Sequence, residues 1–233
     1  MEHNPAPIHL PLITTIYEAI AMPRLKPQTQ QQRREHILDA AERCFARSGF
    51  HRASMQAICR EARVSPGALY LYFDSKEALI AGITERDRAA FQERLETLGD
   101  APDVMEALSQ LADRYFVEEP AHKRLMCIEI GLEATRNARV GEIFRGVDAH
   151  VRESFATLFQ RLADEGRIRP TLEIPALVQV FVTVGDGLFW RRATDPSFDS
   201  GIVLPAALSV IESMLNPVRG AEESQRRLAK ETT

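Results

Sequence analysis

Apolar residues recur with the period of an α-helix along most of this chain. Between residues 29 and 48 the apolar residues on one helical face are Ile37, Ala40, Ala41, Cys44 and Phe45. Gly49 follows, at a position where a helix commonly ends. The same period predicts further helices over residues 75–98, 102–118, 121–136, 138–164, 175–193 and 198–215. No stretch of any length alternates apolar and polar residues as a strand does, so the pattern predicts an all-α fold.

Residues 54–76 predict two short helices joined by a tight turn, followed by the start of a longer helix. Ser54 suits the N-cap of the first helix, because its hydroxyl can accept from a free amide. The apolar residues of that helix share one face: Met55, Ile58 and Ala62. Ser65 and Pro66 suit the start of the second helix, since serine caps it and proline has no amide to leave unpaired. Residues 74–77 resemble a capping box that opens the third helix.

The second short helix has two different faces. Leu69 and Phe73 lie about 40° apart on a helical wheel and form a core face. The opposite face carries Gly67 and Leu71, flanked by Ala68 and Tyr70. A lone short helix cannot bury that leucine and tyrosine, so we expect a helix-turn-helix whose second helix enters a DNA major groove.

Residues 64–79, VSPGALYLYFDSKEAL, resemble the recognition segment of the tetracycline-repressor (TetR) family of regulators. That segment reads Val-Ser-x-Gly-x-Leu-Tyr-x-Tyr/His-Phe-x-x-Lys-Glu-x-Leu. The matching residues are Val64, Ser65, Gly67, Leu69, Tyr70, Tyr72, Phe73, Lys76, Glu77 and Leu79, with Phe45, Gly49 and Phe50 upstream. Arg63 departs from the family, which most often has glycine in the turn. A positive φ there would cost on the order of 1 kcal/mol for a residue other than glycine.

The resemblance implies three N-terminal helices for DNA, a fourth that connects, and five that bind a ligand and form a dimer. We therefore expect a helix-turn-helix domain at residues 29–76 and a ligand-binding and dimerisation domain at residues 77–216. Residues 217–233 are polar and charged, which predicts a flexible tail.

Residues 1–28 form an N-terminal extension with two open interpretations. Residues 8–22, IHLPLITTIYEAIAM, are apolar but have no positive charge before them, which argues against a signal peptide. Either residues 14–21 form a short helix that docks on the protein, or the natural start is Met22.

Charge is unevenly distributed along the chain. The net charge is −4, but residues 24–76 hold ten Lys and Arg against five Asp and Glu, so the remainder carries −9. A basic end on an acidic body is expected when only one end meets phosphates.

Cysteine usage indicates a reducing compartment. The three cysteines are an odd number at apolar helical positions: Cys44, Cys59 and Cys127. We expect free buried thiols in a cytoplasmic protein.

The candidate DNA contacts fall into two groups. Those expected to hold phosphates are Arg33, Arg34, Ser54, Tyr72 and Lys76. Those in or near the groove are Ser65, Pro66, Gly67, Ala68, Tyr70 and Leu71, with Arg52 and Gln56 reaching in from the first helix of the motif.

The second domain is rich in aromatic and other large apolar residues. Most could be ordinary core, but the resemblance implies a cavity, and the candidates for its walls are Phe116, Met126, Ile130, Phe144, Phe155, Phe159, Phe181 and Phe189. Polar candidates for orienting a ligand are Glu129, His150, Arg152, Thr183 and Asp186.

The last two long helices carry more apolar residues than one helix face needs. This favours a homodimer through an intersubunit four-helix contact over a fully buried monomer core.

No other chemistry is indicated. The six histidines have no metal-ligand spacing, no phosphate-binding loop follows a strand, and no cofactor is expected. The sequence predicts a homodimeric repressor that binds a palindromic DNA operator and is released by a hydrophobic or aromatic small molecule. The main alternative is a helical-bundle module that binds another protein through Tyr70 and Leu71. A second and weaker alternative is an enzyme that acts on a small molecule.

Overall fold

A computed structural model describes residues 27–218, and the regular elements there are α-helices. In chain order they are α1 (Pro27–Arg52), α2 (Met55–Ala62), α3 (Pro66–Tyr70), α4 (Lys76–Asp100), α5 (Val104–Asp113), α6 (Ala121–Ala134), α7 (Ala138–Asp164), α8 (Ile174–Thr194) and α9 (Ser200–Leu215). A five-residue π-helix, Arg114–Glu118, follows α5. Across the described residues the only strand-like pairing is a lone bridge between Ile168 and Pro217, so the predicted all-α fold is confirmed.

Backbone contacts divide the chain into two units, Met1–His36 and Ile37–Thr233, and the boundary falls inside α1. In the first unit the structure describes residues 27–36, the opening turns of α1. Their side chains are mostly exposed, and Gln31 Nε2 donates to Glu35 Oε1 at 2.6 Å.

In the second unit, the rest of α1 packs with α2, α3 and the first turns of α4 around one core. Its largest fully buried side chains are Ile37, Leu38, Phe45, Ile58, Leu69, Leu79, Ile80 and Ile83. Each such residue contributes about 1.5–3 kcal/mol of hydrophobic stabilisation. Met126, Ile130 and Val140 belong to the same cluster, so the helix-turn-helix packs directly on α6 and α7.

Serines cap the two short helices, as predicted, and the longer α4 that follows them. The hydroxyls of Ser54, Ser65 and Ser75 accept from the amide three residues on, at 3.1, 3.2 and 3.1 Å. Each bond satisfies an amide that would otherwise lack a partner, which typically contributes about 1 kcal/mol. Helices as short as α2 and α3 depend on such caps and on burial, because few intrahelical bonds hold them.

Two residues with positive φ, Gly49 and Arg63, shape the chain on either side of α2. Gly49, with φ 72°, interrupts α1 where the sequence predicts a stop. Arg63 closes α2 with φ 52° and ψ 42°, so the turn before α3 has the positive φ expected of the family's glycine. The side chain at Arg63 leaves this turn mildly strained.

A second core lies farther along the unit. It is formed by α4, α5, α7, α8 and α9 around the fully buried Phe159. Phe155, Phe159 and Phe181 contact one another with ring centroids 4.6–5.7 Å apart. Such tilted and edge-on aromatic pairs contribute about 0.5–1.5 kcal/mol beyond their buried area.

One expectation about an element end needs correction. The helix predicted over residues 102–118 begins at Val104, where Asp103 accepts from two amides, and widens into the π-helix after Asp113. Of the tail predicted over residues 217–233, the structure describes the first two residues, and the Val218 amide donates to the Arg167 carbonyl at 2.8 Å. Both interpretations of the N-terminal extension concern residues 1–26, which lie outside the described residues, as do residues 219–233.

Candidate nucleic-acid interface and ligand cavity

The outward face of α3 presents a small apolar surface. Leu71 is 80% exposed and Tyr70 is 54% exposed, while Leu69 on the opposite face belongs to the core and is fully buried. A Cβ added at Gly67 would meet no atom within 4 Å, so nothing in the described chain covers this position. Ser65, Pro66 and Ala68 also lie on or beside this face, as predicted: the first two are exposed and Ala68 is half-buried.

Further candidate DNA contacts lie on the elements next to α3. The hydroxyls of Ser54 and Ser65 accept as caps and each keeps its own proton to donate. Arg52 and Gln56 are exposed, and Arg52 Nε donates to the Ser48 carbonyl at 3.0 Å. Tyr72 is half-buried against the core of the helix-turn-helix.

Lys76 has a structural role that the sequence did not indicate. Its ammonium donates to the Phe50 carbonyl at 2.5 Å and the His51 carbonyl at 3.5 Å, and lies 4.1 Å from the centroid of the Phe50 ring. These bonds satisfy carbonyls at the end of α1, and an ammonium has a third proton for a phosphate. The partners lie 26 and 25 residues away, so helical spacing could not reveal them.

Arg33 and Arg34 belong to the unit that ends at His36. Arg33 is exposed and Arg34 lies 3.7 Å from the Glu35 carboxylate. Their phosphate contact stays a prediction.

A cavity of about 400 Å³ lies among α4 to α9 and the π-helix. Seven of the eight predicted wall residues line it: Phe116, Met126, Ile130, Phe144, Phe155, Phe181 and Phe189. The eighth, Phe159, does not line the cavity, because it is fully buried and packs against Phe155 and Phe181. The size is that of a small-molecule site, and the walls are almost entirely apolar.

A few polar groups face the cavity. Burial and the nearby Asp148 raise the pKa of Asp186, and Arg152 opposes them. His150 also lines the cavity, and its Nε2 is buried without a hydrogen-bond partner in the described part of the chain.

Cys44 and Cys59 are buried as predicted, but Cys127 is exposed toward the cavity, so its predicted burial is wrong. The protein atoms around it still desolvate the thiol and raise its pKa to about 12, so it stays protonated.

The other three predicted polar contacts do not line the cavity. Arg152 is paired with Asp148, and the Thr183 hydroxyl donates to the Gln179 carbonyl at 2.7 Å. Glu129 lies instead beside Gly49, where a Cβ would come within 2.9 Å of its carboxylate.

A buried charge cluster connects the cavity to the helix-turn-helix. Glu42 in α1 is 2% exposed and bonds to Arg86 in α4, which also reaches Asp39 at 2.9 Å. The next residue, Asp87, lines the cavity and lies 3.7 Å from Lys123 in α6. Burial raises the pKa of Glu42, against the pull of Arg86 and Lys123. Sequence reasoning missed this cluster, since its members look like ordinary solvated charges.

Two further polar contacts join the same helices. His51 Nε2 lies 2.8 Å from the buried Glu133 carboxylate, and Asn137 Nδ2 donates to Glu77 at 3.1 Å. The end of α1 and the start of α4 are therefore both fastened to α6 or the turn that follows it.

Helices α8 and α9 carry large apolar side chains on their outer faces. The exposed ones are Val180, Trp190, Ile202, Val203 and Val210. A row of this kind on two neighbouring helices marks an interaction surface.

The described residues offer no group of three metal-binding side chains. Among the same residues, no helix is both long and apolar enough to cross a lipid bilayer.

Comparison with known proteins agrees with this geometry. Residues 37–83 match the family of bacterial regulatory proteins called the tetR family. The regulator UidR of Escherichia coli is 35% identical over 150 residues, which cover 62% of this chain and 74% of UidR. The repressor AcnR of Corynebacterium efficiens is 28% identical over 184 residues, covering 77% of this chain and 90% of AcnR.

A solved structure shows the same fold. Salmonella enterica GusR superposes with a TM-score of 0.65 at 27% identity, covering 83% of this chain and 98% of GusR. The relatives named as regulators, the matched helix-turn-helix and the shared fold all identify this chain as a member of the TetR family of bacterial transcriptional regulators.

Proposed function

We propose that this regulator is a homodimeric repressor that binds a palindromic operator and is released by a hydrophobic or aromatic small molecule. One observation carries the proposal: α4 begins at Lys76, which fastens the end of α1, and its middle turns line the cavity. A ligand in the cavity and DNA on α3 therefore both act on one rigid element. AcnR is named as a repressor, which supports the direction of regulation.

On DNA, the outward face of α3 enters the major groove. Tyr70 and Leu71, with the open position at Gly67, present mostly apolar groups to base edges. Contacts to thymine methyls and sequence-dependent DNA shape then carry much of the specificity. Arg52 and Gln56 reach toward the groove, while Ser54 and the rest of the predicted phosphate contacts fix the register without reading sequence.

Dimerisation occurs through α8 and α9. Ile202 is 72% exposed, Trp190 57% and Val210 55%, too much large apolar surface for a monomer to leave in water. A two-fold axis through these helices places two copies of α3 in successive major grooves, roughly 34–36 Å or a multiple of a turn apart. A palindromic operator follows from that symmetry.

Release follows from a change in this spacing. A ligand between Phe116, Phe155 and Phe181 displaces α4, and the bonds of Arg86 and Lys76 carry the displacement to the helix-turn-helix. Weakening DNA binding ~100-fold requires a coupling free energy of about 2.7 kcal/mol between the two sites.

The groove contact is tested by Gly67→Glu. The added side chain meets open space in the free protein, so folding and dimerisation are retained. Its bulk and negative charge at the groove should nearly abolish operator binding in a gel shift. Gly146→Glu is the matched control, since Gly146 in α7 is also exposed with no atom within 4 Å of an added Cβ. Normal operator affinity of the Gly67→Glu protein would show that α3 does not enter the groove.

The dimer surface is tested by Ile202→Lys, measured by sedimentation velocity. Burying an unpaired ammonium costs several kcal/mol, and each 1.4 kcal/mol is tenfold in dissociation constant. We expect a monomer with lost operator binding. Leu132→Lys makes the same change at a half-exposed leucine of α6 and should stay dimeric. A dimer at the same concentration in both variants would place the interface elsewhere.

The cavity is tested with N-phenyl-1-naphthylamine, a neutral aromatic probe that fluoresces in apolar surroundings. Ala112→Phe fills part of the cavity and should weaken probe binding at least tenfold while operator affinity is retained. Ala89→Phe, on an exposed position of α4, is the control for the added ring. Operator should weaken probe binding by the factor by which the probe weakens operator binding. Equal probe affinity with and without operator would show that the cavity does not control DNA binding.

A further inference from the structure

Arg63 holds a backbone conformation that residues other than glycine rarely adopt. It ends α2 with φ 52° and ψ 42°, in the turn that leads into α3. Its amide donates to the Arg60 carbonyl at 3.2 Å, a bond that a glycine would make equally well. Glycine would also adopt this conformation without strain. The turn itself therefore gains nothing from an arginine side chain.

The free protein gives the Arg63 side chain no contact that offsets the strain. The residue is exposed, and within residues 27–218 its guanidinium group has no hydrogen bond, ion pair or ring contact. The acidic residue closest in sequence, Glu61, is already held by Arg43 at 2.8 Å and Arg47 at 3.1 Å. Arg60, one turn earlier, is exposed and also unpaired in that part of the chain. The turn therefore presents uncompensated positive charge to solvent.

The position of Arg63 next to α3 places it at the edge of the groove in the proposed complex. An α-helix with its side chains is about 10–12 Å wide and the major groove is about 12 Å wide, so the helix fills the groove. The chain that leads into the helix then crosses one of the phosphate backbones that border the groove. Arg63 lies two residues before the N-cap Ser65, so their Cα atoms are at most about 7.6 Å apart.

We propose that Arg63 is a further DNA contact, whose guanidinium group binds a backbone phosphate beside the groove that α3 enters. This contact requires the proposed docking of α3 and so rests on the proposed function. Guanidinium groups bind phosphate oxygens through charge-assisted hydrogen bonds, and the donors of Arg63 are free in the described chain. Strained backbone conformations cluster where a side chain has a function. The contact explains why the turn carries arginine although glycine would fit it with less strain.

The test uses an operator that the wild-type protein selects from random-sequence DNA, with dissociation constants measured over a range of KCl concentrations. Each phosphate contact contributes about 0.9 to the slope of log affinity against log salt, and a dimer carries two copies of Arg63. In Arg63→Gln the slope should fall by about 1.8, and affinity at 0.1 M KCl should fall about 10–100-fold. A shuffled duplex should lose a similar factor, since a phosphate contact carries no sequence information.

Three further variants separate a DNA contact from a structural role. Arg63→Lys keeps the charge, so it should retain the slope to within about 0.5. Arg63→Gly should lose the slope as Arg63→Gln does, but its thermal midpoint should rise by about 1–4 °C because the strain is relieved. A residue with only a structural role would not weaken DNA binding and raise stability in one substitution. Arg114→Gln removes an exposed π-helix arginine that is unpaired in the described chain, and should leave the slope unchanged.

The outcomes separate this contact from the docking of α3. An unchanged slope in Arg63→Gln, or the same loss in Arg114→Gln, would overturn the phosphate contact. A lower thermal midpoint in Arg63→Gly would show that the side chain supports the fold, and a loss confined to the operator would show base readout; either result overturns it. The groove assignment survives all of these results if Gly67→Glu abolishes binding. Normal binding by Gly67→Glu would overturn the docking of α3, and the Arg63 contact with it.

Discussion

The buried carboxylate of Glu42 is the constraint on which the arrangement of this protein depends. A carboxylate that is 2% exposed cannot remain charged without a partner, and Arg86 of α4 supplies the closest one. Separating α1 from α4 would take the closest partner from the Glu42 carboxylate and both α1 partners from Arg86, which favours movement of the two helices together. The bonds of Lys76 to the end of α1 act in the same direction.

The cavity has the opposite effect on the middle of α4, which is less tightly packed there than at its start. The apolar walls of this cavity of about 400 Å³ do not pack against one another, so they lack dispersion contacts that a close-packed interior would make. A ligand of matching shape recovers them, and its binding free energy is available to displace a wall. Residues of α4 between Ile83 and Phe91 contribute that wall, so in the proposed mechanism the helix that a ligand displaces is the one that contacts the helix-turn-helix. The proposed regulation therefore needs no long pathway, only a helix held at one end by charge and less tightly packed in its middle.

Much of this could be predicted from the sequence, and the failures have physical causes. Periodicity and caps predicted the nine α-helices of the described residues, because both signals lie in short stretches of sequence. An apolar helical face repeats every three or four residues, and each serine cap of α2, α3 and α4 acts over three residues. Seven of the eight candidate wall residues line the cavity, but the sequence could not separate Phe159 from them, since core and cavity aromatics share one helical face. The Lys76 bonds and the ion pairs around Glu42 join residues 25 to 47 positions apart, which no local pattern encodes. The π-helix was missed for the same reason, because tertiary packing selects it over a continuous helix.

The central claim is that the Glu42–Arg86 pair transmits ligand binding to the DNA-binding face. The most direct measurement is the ratio of operator dissociation constants with and without a saturating cavity ligand, compared between the wild type and Glu42→Gln/Arg86→Met. The double substitution removes both charges together, so it avoids stranding either one. The account predicts that the variant still binds operator and ligand but that the ratio falls toward one. An unchanged ratio in the folded variant would contradict it.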